Sequence, residues 1–412
     1  MGAAKVVSWF RGWARARWFI SVFLIGVLAG GIGAGAYAYL PGRKTHEGRF
    51  ELRIPVPTQP AGFDLALRQS LGVQMLAGNE VTLVENGAVF DVIEKDVRSA
   101  KSSVHVVLYI WEKGTASDRL VGALVERARA GVACRIVVDD FGSPAFGKDV
   151  RPALLEAGCD VRAFRPVLEG ADELARNHRK LVIVDGKVGI TGGFGARDNW
   201  LGDGVTNESW RDTSARFAGP VVSEAQQTFA ENWQEAGGPL LPAEAFPPIA
   251  PAGPSIAAFV GSTAHPVVTR AERLEQLLIR AAKSRLWIAN AYFIPSKAIL
   301  EMLKEKAASG VDVRLLVPGT KNDSKTSLGA QNLQYGGLVE KGVHIWEYLP
   351  SMMHSKTMLV DDDLVLVGSV NLDLLSLGKL EEVALVAQDA EVAKTMAHTF
   401  EGDCKRGRVV AK

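Results

Sequence analysis

The pattern His-x-Lys-x-x-x-x-Asp occurs twice in this chain, as His178-Arg-Lys180-Leu-Val-Ile-Val-Asp185 and as His354-Ser-Lys356-Thr-Met-Leu-Val-Asp361. Only seven histidines exist in 412 residues, so two opening the same pattern point to a duplication. The surroundings repeat as well. Residues 121–138 align with residues 300–317; each is an apolar stretch of helical period stopped by a glycine, Gly131 or Gly310, then a continuous apolar run of strand length. Residues 104–110 and 286–294 read as the preceding strands, and residues 155–161 echo 339–345. Strands alternating with helices predict an α/β fold: two tandem domains, each a mixed sheet flanked by helices, related by a pseudo-twofold axis. The domains are expected over residues 63–236 and 255–412. Residues 237–254 join them, because their glycines and prolines sustain neither a helix nor a central strand.

The length is that of two ordinary cores. Lys plus Arg number 47 and Asp plus Glu 46, so no global field draws the chain to nucleic acid, and none is expected as a partner. Residues 19–40 carry no charge, and 22 residues at about 1.5 Å each span a bilayer core of about 30 Å. One N-terminal transmembrane helix is therefore expected within residues 1–40, with residues 41–62 as a tether. Lys5, Arg11, Arg15 and Arg17 precede it with no acidic residue, which leaves the N-terminus inside and the body outside, against the weaker pull of Arg43, Lys44 and Arg49 at the other end. Cleavage after Ala38 is the alternative, from the small residues Ala36 and Ala38. The spacings Gly26/Gly30 and Gly31/Gly35 suit a homodimer through this helix. Cys134, Cys159 and Cys404 read first as buried thiols; a Cys134–Cys159 bridge stays open, because both open predicted strands of one half.

In a strand, residues i and i+2 share a face, so each histidine projects beside its lysine. Asp185 and Asp361 follow four apolar-rich residues and precede turns, after which a strand returns toward Gly192-Gly193 or Gly368-Ser369. Each unit reads as a β-hairpin. A neutral imidazole is a nucleophile, a protonated one gives its proton to a leaving alkoxide, and two lysines offset phosphoryl charge where other phosphodiesterases hold a metal. No metal or other cofactor is called for. Tyr292, Phe293 and Trp287 read first as core, with the lining of a lipid cleft as the alternative.

These paired motifs resemble the phospholipase D superfamily, whose pattern continues to Gly-Ser-x-Asn. The second half matches with Gly368-Ser369-Val370-Asn371; the first departs, with Gly192-Gly193-Phe194-Gly195. Arg176-Asn177 and residues 210–213, 291–295 and 348–354 extend the resemblance to bacterial cardiolipin synthases, over roughly residues 78–400. The resemblance implies His178, Lys180, Asp185, His354, Lys356 and Asp361 as the catalytic set, with the two aspartates orienting rather than reacting. It implies Lys180, Lys356, Ser369 and Asn371 on the substrate phosphate, and Glu382, Asp373 and Asp198 as acidic groups bracing the site. His178 is expected to carry the covalent phosphoryl group and His354 to serve as acid, then base. Gly195 is expected to serve backbone freedom. The implied function is a phosphatidyltransferase making cardiolipin from phosphatidylglycerol or another phospholipid at the outer side of a bacterial inner membrane. Alternatives are a phospholipase D, a superfamily nuclease, or a non-catalytic membrane scaffold.

Overall fold

Both expected helix-glycine-strand units form, with Gly131 (φ 88°) and Gly310 (φ 92°) in the left-handed conformation that ends a helix cheaply only for glycine. The computed structural model describes residues 50–52, 60–167, 175–206, 208–265 and 267–411, all within the unit Phe50–Lys412. The expected transmembrane helix, its glycine pairs and the Ala38 site lie outside the described residues.

The first half runs α1 (Pro60–Leu71), β1 (Leu76–Glu85), α2 (Ala88–Ser99), β2 (Ser103–Leu108), α3 (Thr115–Arg129), β3 (Ala133–Asp139), α4 (Arg151–Glu156), β4 (Asp160–Phe164), β5 (Leu181–Val184), β6 (Val188–Thr191), β7 (Thr213–Ala218) and α5 (Val222–Glu235). The second runs β8 (Ser255–Ser262), α6 (Arg270–Ala281), β9 (Arg285–Asn290), α7 (Lys297–Ala308), β10 (Asp312–Pro318), α8 (Lys325–Asn332), α9 (Tyr335–Val339), β11 (His344–Tyr348), β12 (Lys356–Val360), β13 (Leu364–Gly368), β14 (Glu382–Gln388), α10 (Ala390–Cys404) and β15 (Gly407–Val409).

The strands follow the order β15-β11-β10-β9-β12-β13-β14-β8-β1-β7-β6-β5-β2-β3-β4, which, β15 aside, is the same series read from either end. In each half three parallel strands (β2–β4, β9–β11) meet an antiparallel hairpin (β5–β6, β12–β13). The parallel strands therefore end where β5 and β12 begin, and their following loops form one rim per half. Bridges Asn177↔Glu381 and Arg211↔Met353 bring the two rims together.

Two expected cores become three. Val182 and Val184 of β5 point into a core under α2, α3 and α4, and Met358 and Val360 of β12 into one under α1, α6 and α7. The opposite strand faces share a third core, in which Leu181, Phe217, Phe259 and Leu359 meet α5 and α10. Phe217 and Phe259 pack across the halves at 5.6 Å, and cutting either to alanine would cost about 3–5 kcal/mol. This shared core locks the two halves in one orientation.

Two expectations change. Cys134 and Cys159 form a disulfide rather than remaining thiols, because parallel pairing of β3 with β4 brings their Cα atoms to 4.6 Å. Asp198 caps a helix instead of bracing the histidines. Its carboxylate accepts from the Ala116 amide at 2.8 Å, at the start of α3, where Gly114 has no side chain to cap with.

Candidate active site

Each histidine is held by the other half's backbone. The His178 amide donates to the Glu381 carbonyl at 2.8 Å, and the His354 amide to the Arg211 carbonyl at 2.7 Å. Strand periodicity then turns Lys180 and Lys356 to the same side as their histidines. The four side chains expected from the two patterns thus converge between the halves, at exposures of 8% (His178), 1% (Lys180), 5% (His354) and 0% (Lys356).

The two histidines have different surroundings. His178 Nδ1 lies 2.9 Å from Glu382, whose carboxylate also accepts from the Ser369 hydroxyl, so both residues come from the second half. Tyr109 packs edge-on against the His178 ring at 5.1 Å, and the Lys180 ammonium lies 5.4 Å over the Tyr109 ring. His354 has no carboxylate hydrogen bond among the described residues. It is stacked on Trp210 at 4.9 Å, with Trp200 edge-on at 5.1 Å, and Lys356 Nζ donates to its Nδ1 at 2.9 Å.

Burial decides the charge states. It pushes His178 down to about 4; Glu382 opposes this, and Lys180 and Lys356 add to it. Burial, then Lys356 and Lys180, holds His354 well below the ordinary histidine value. Both rings are neutral at pH 7. Burial also lowers the lysines: Lys180 falls well below its ordinary value, and Lys356 falls to about 8, held up by Asp212 and Glu382.

Asp185 and Asp361 are not part of this cluster. Four strand residues at about 3.3 Å each carry them to the far end of the hairpins. There each adopts positive φ (53° and 52°) and staples the turn to the neighbouring strand. Asp185 accepts from the amides of Lys101, Ser102 and Ser103 at 2.7–3.0 Å, and Asp361 from those of Lys283, Ser284 and Arg285 at 2.8–3.2 Å. Burial raises each carboxyl, but these amides outweigh it and hold both below the usual range. Neither aspartate orients a histidine.

Asp373 lies nearer. It accepts from the amides of Leu375 and Ser376 in its own turn, and burial raises it to about 6. Asn371 is buried, and its amide oxygen has no hydrogen-bond partner among the described residues. Tyr292 stands edge-on to His354 at 6.2 Å with its hydroxyl on Asp323, whereas Phe293 and Trp287 are core residues.

Asp212, Trp200 and Trp210 lie outside the two His-x-Lys patterns and the site residues they imply. Ladder register identifies Asp212: aligning Gly192 with Gly368 makes Thr191↔Ala215 the counterpart of Val367↔Leu385, so Asp212 occupies the place of Glu382. The run Trp210-Arg-Asp-Thr213 just before β7 was the available signal. Burial raises Asp212 to about 6, and its Oδ2 has no hydrogen-bond partner among the described residues. Gly193 takes the place of Ser369, and a Cβ there would sit 2.7 Å from Asp212 and 2.8 Å from the His354 carbonyl. Gly195 takes the place of Asn371. Its φ lies outside the left-handed region, and a Cβ would meet Ile110 at 3.0 Å and Trp200 at 3.1 Å. Tight space, rather than a left-handed backbone, disfavours a side chain at this position.

Residues 93–233 and 277–404, one stretch in each half, match the family described as "Cardiolipin synthase, PLD-like domain". The chain is 32% identical to cardiolipin synthase A of Pseudomonas fluorescens, over 82% of this chain and 71% of that one. It is 31% identical to cardiolipin synthase 1 of Bacillus cereus, over 88% and 74%. Among solved structures, phosphatidylserine synthase of Haemophilus influenzae superposes with a TM-score of 0.65 at 13% identity, covering 84% of this chain and 92% of that one. Polyphosphate kinase of Porphyromonas gingivalis gives 0.53 at 12%, covering 86% and 51%. These two likenesses speak for the fold alone. With a family match on each copy of the repeat and relatives above 30% identity across most of their length, the chain belongs to the cardiolipin synthase, PLD-like domain family.

Proposed function

We propose that the chain is a phosphatidyltransferase that moves a phosphatidyl group from one phospholipid to the hydroxyl of a second, with phosphatidylglycerol in both roles and cardiolipin as product. The observation that carries the chemistry is the Glu382 contact to His178 Nδ1. A carboxylate there accepts a hydrogen bond from Nδ1–H, which keeps the proton on Nδ1 and leaves the lone pair on Nε2. His178 Nε2 attacks the phosphorus, the bond from phosphorus to the departing alcohol oxygen breaks, and His354 gives that oxygen a proton. His354 then takes the proton of the incoming hydroxyl, whose oxygen displaces His178. Lys180, Lys356 and the Asn371 amide meet the charge on the phosphoryl oxygens. The anionic phosphate favours the protonated His354 that the first step needs, against the burial that keeps the ring neutral in the empty site.

In this reading residues 1–40 hold one transmembrane helix and place the catalytic part outside a bacterial inner membrane, with residues 63–236 and 255–412 as the two domains. Among the described residues no helix is long and apolar enough to cross a membrane. The Cys134–Cys159 bridge supports the outer side, because such bridges persist in oxidising compartments. The glycine spacings of residues 26–35 would let two copies pair there.

Purified full-length protein in phosphatidylglycerol vesicles should release glycerol and form cardiolipin, followed by lipid mass spectrometry. Phosphatidic acid as the dominant product would replace the acceptor hydroxyl with water and make the enzyme a hydrolase. A lack of turnover on any phospholipid would sink the proposal.

A further inference from the structure

Twelve large apolar side chains stand exposed among the described residues, and they are not spread evenly. Phe141 follows β3, Val167 follows β4, Leu349 follows β11, and Leu374 and Leu375 follow β13. Each therefore stands at the strand ends from which His178 and His354 open. Leu333 belongs to the same rim, because the Gln331 side chain donates to the carbonyl of Pro318, the last residue of β10, at 2.9 Å. Val267 is a seventh, in a loop that the Thr269 hydroxyl ties to the Leu377 carbonyl at 2.6 Å. Phe141 is 62% exposed, Leu375 55% and Leu333 84%, which are unfavourable positions for such side chains in water. Leu155, by contrast, lies on α4, which leads to the opposite end of β4.

These tips come from separate loops of both halves, so they form a surface rather than a groove. Cations stand among them: Lys321 and Lys325 are exposed after β10, while the Asp323 carboxylate between them is taken by the Tyr292 hydroxyl at 2.8 Å. Apolar and aromatic tips with interspersed lysines match the acyl boundary and anionic headgroups of a bilayer. The reacting groups below are almost closed to solvent, so a lipid reaching them would leave its acyl chains at this rim.

We propose that this rim seats on the surface of a phospholipid bilayer, with Phe141, Leu333, Leu374 and Leu375 entering the interface around the mouth of the site. The proposal rests on the phosphatidyl-transfer reading for its choice of partner and is separable from it by experiment. Full-length protein carrying Cys404→Ala and one added cysteine, as Phe141→Cys, Leu333→Cys, Leu375→Cys or Leu155→Cys, is labelled with an environment-sensitive fluorophore. It is then reconstituted in phosphatidylglycerol–phosphatidylethanolamine vesicles with or without brominated acyl chains. Brominated chains should quench the three rim positions about twofold or more and leave position 155 unquenched. Unquenched rim positions, or equal quenching at 155, would overturn the proposal. Phe141→Ser combined with Leu375→Ser should slow turnover on vesicles about tenfold or more while leaving turnover of a monomeric short-chain phospholipid unchanged. Equal loss on both substrates would mean a damaged site and no docking role. Quenching at the rim with no transfer product from any lipid would keep the docking surface and remove the transferase.

Discussion

The two halves share a fold and a His-x-Lys pair but hold their histidines differently. In the second half Ser369, Asn371 and Glu382 are all present, and Glu382 reaches across to His178. In the first half glycines stand in the places of Ser369 and Asn371, the counterpart Asp212 has one oxygen without a hydrogen-bond partner among the described residues, and His354 packs against two tryptophans. A duplicated site needs only one complete phosphate grip, and once one copy supplies it the other is free to fill with packed rings. The histidine that donates Nδ1–H to a carboxylate is suited to attack, and the one packed against aromatic rings beside a lysine is suited to move a proton.

The sharpest way to break this comparison is to remove each histidine in turn. His178→Ala should abolish the covalent adduct and lower turnover about 10⁴-fold or more. His354→Ala should leave the adduct detectable but slow its formation and breakdown by about 10²–10⁴. Peptide mass spectrometry after acid quench reads both; an adduct on His354 would exchange the roles.

Next comes the phosphate grip. Asn371→Ala should cost about 10²–10³ in kcat. Gly195→Asn should restore nothing and destabilise the fold by about 1–3 kcal/mol, because Ile110 and Trp200, at 3.0–3.1 Å from its Cβ, would have to give way. If Gly195→Asn raised kcat at unchanged Tm, the first half would be an impaired copy of the second rather than a repacked one.

Lys356 supplies a pH test. With its value lowered from 10.5 to about 8 in the empty site, the ammonium is present below about pH 8 and lost above it, so kcat/KM should fall through that point. Stability should move the other way. Between about pH 8 and 10.5 the unfolded chain binds the proton that Lys356 of the folded chain has lost, so the unfolding free energy rises with pH, and Lys356→Met should reduce that rise, with the share of Lys180 left in place. A flat rate profile through pH 8 would place the titration elsewhere.

The smallest effect on chemistry belongs to the aspartates. Asp185→Ala and Asp361→Ala should each lower stability by about 1–3 kcal/mol, by leaving three strand-start amides unpaired, with kcat of the folded fraction unchanged. Denaturant unfolding beside kcat separates the two. A large loss of kcat at unchanged stability would return them to the catalytic set.

Much of this protein was legible in its sequence, because the deciding signals are local. The period-two placement of His beside Lys, the glycine stops at Gly131 and Gly310 and the apolar strand runs are dictated by backbone geometry within a few residues. The repeat then made the α/β duplication and the meeting of two His-Lys pairs readable without coordinates. Tertiary structure alone decided what depends on packing between distant segments. It brought Glu382 to His178 across 204 residues, put Trp200 and Trp210 around His354, and moved Asp185 and Asp361 out of the chemistry into turn staples. It turned Cys134 and Cys159 into a bridge and Asp198 into the cap of a helix it does not belong to. A carboxylate's role follows from which donors reach it. That is set by how strands register and how the two halves close on their shared core, and no short pattern of residues carries that information.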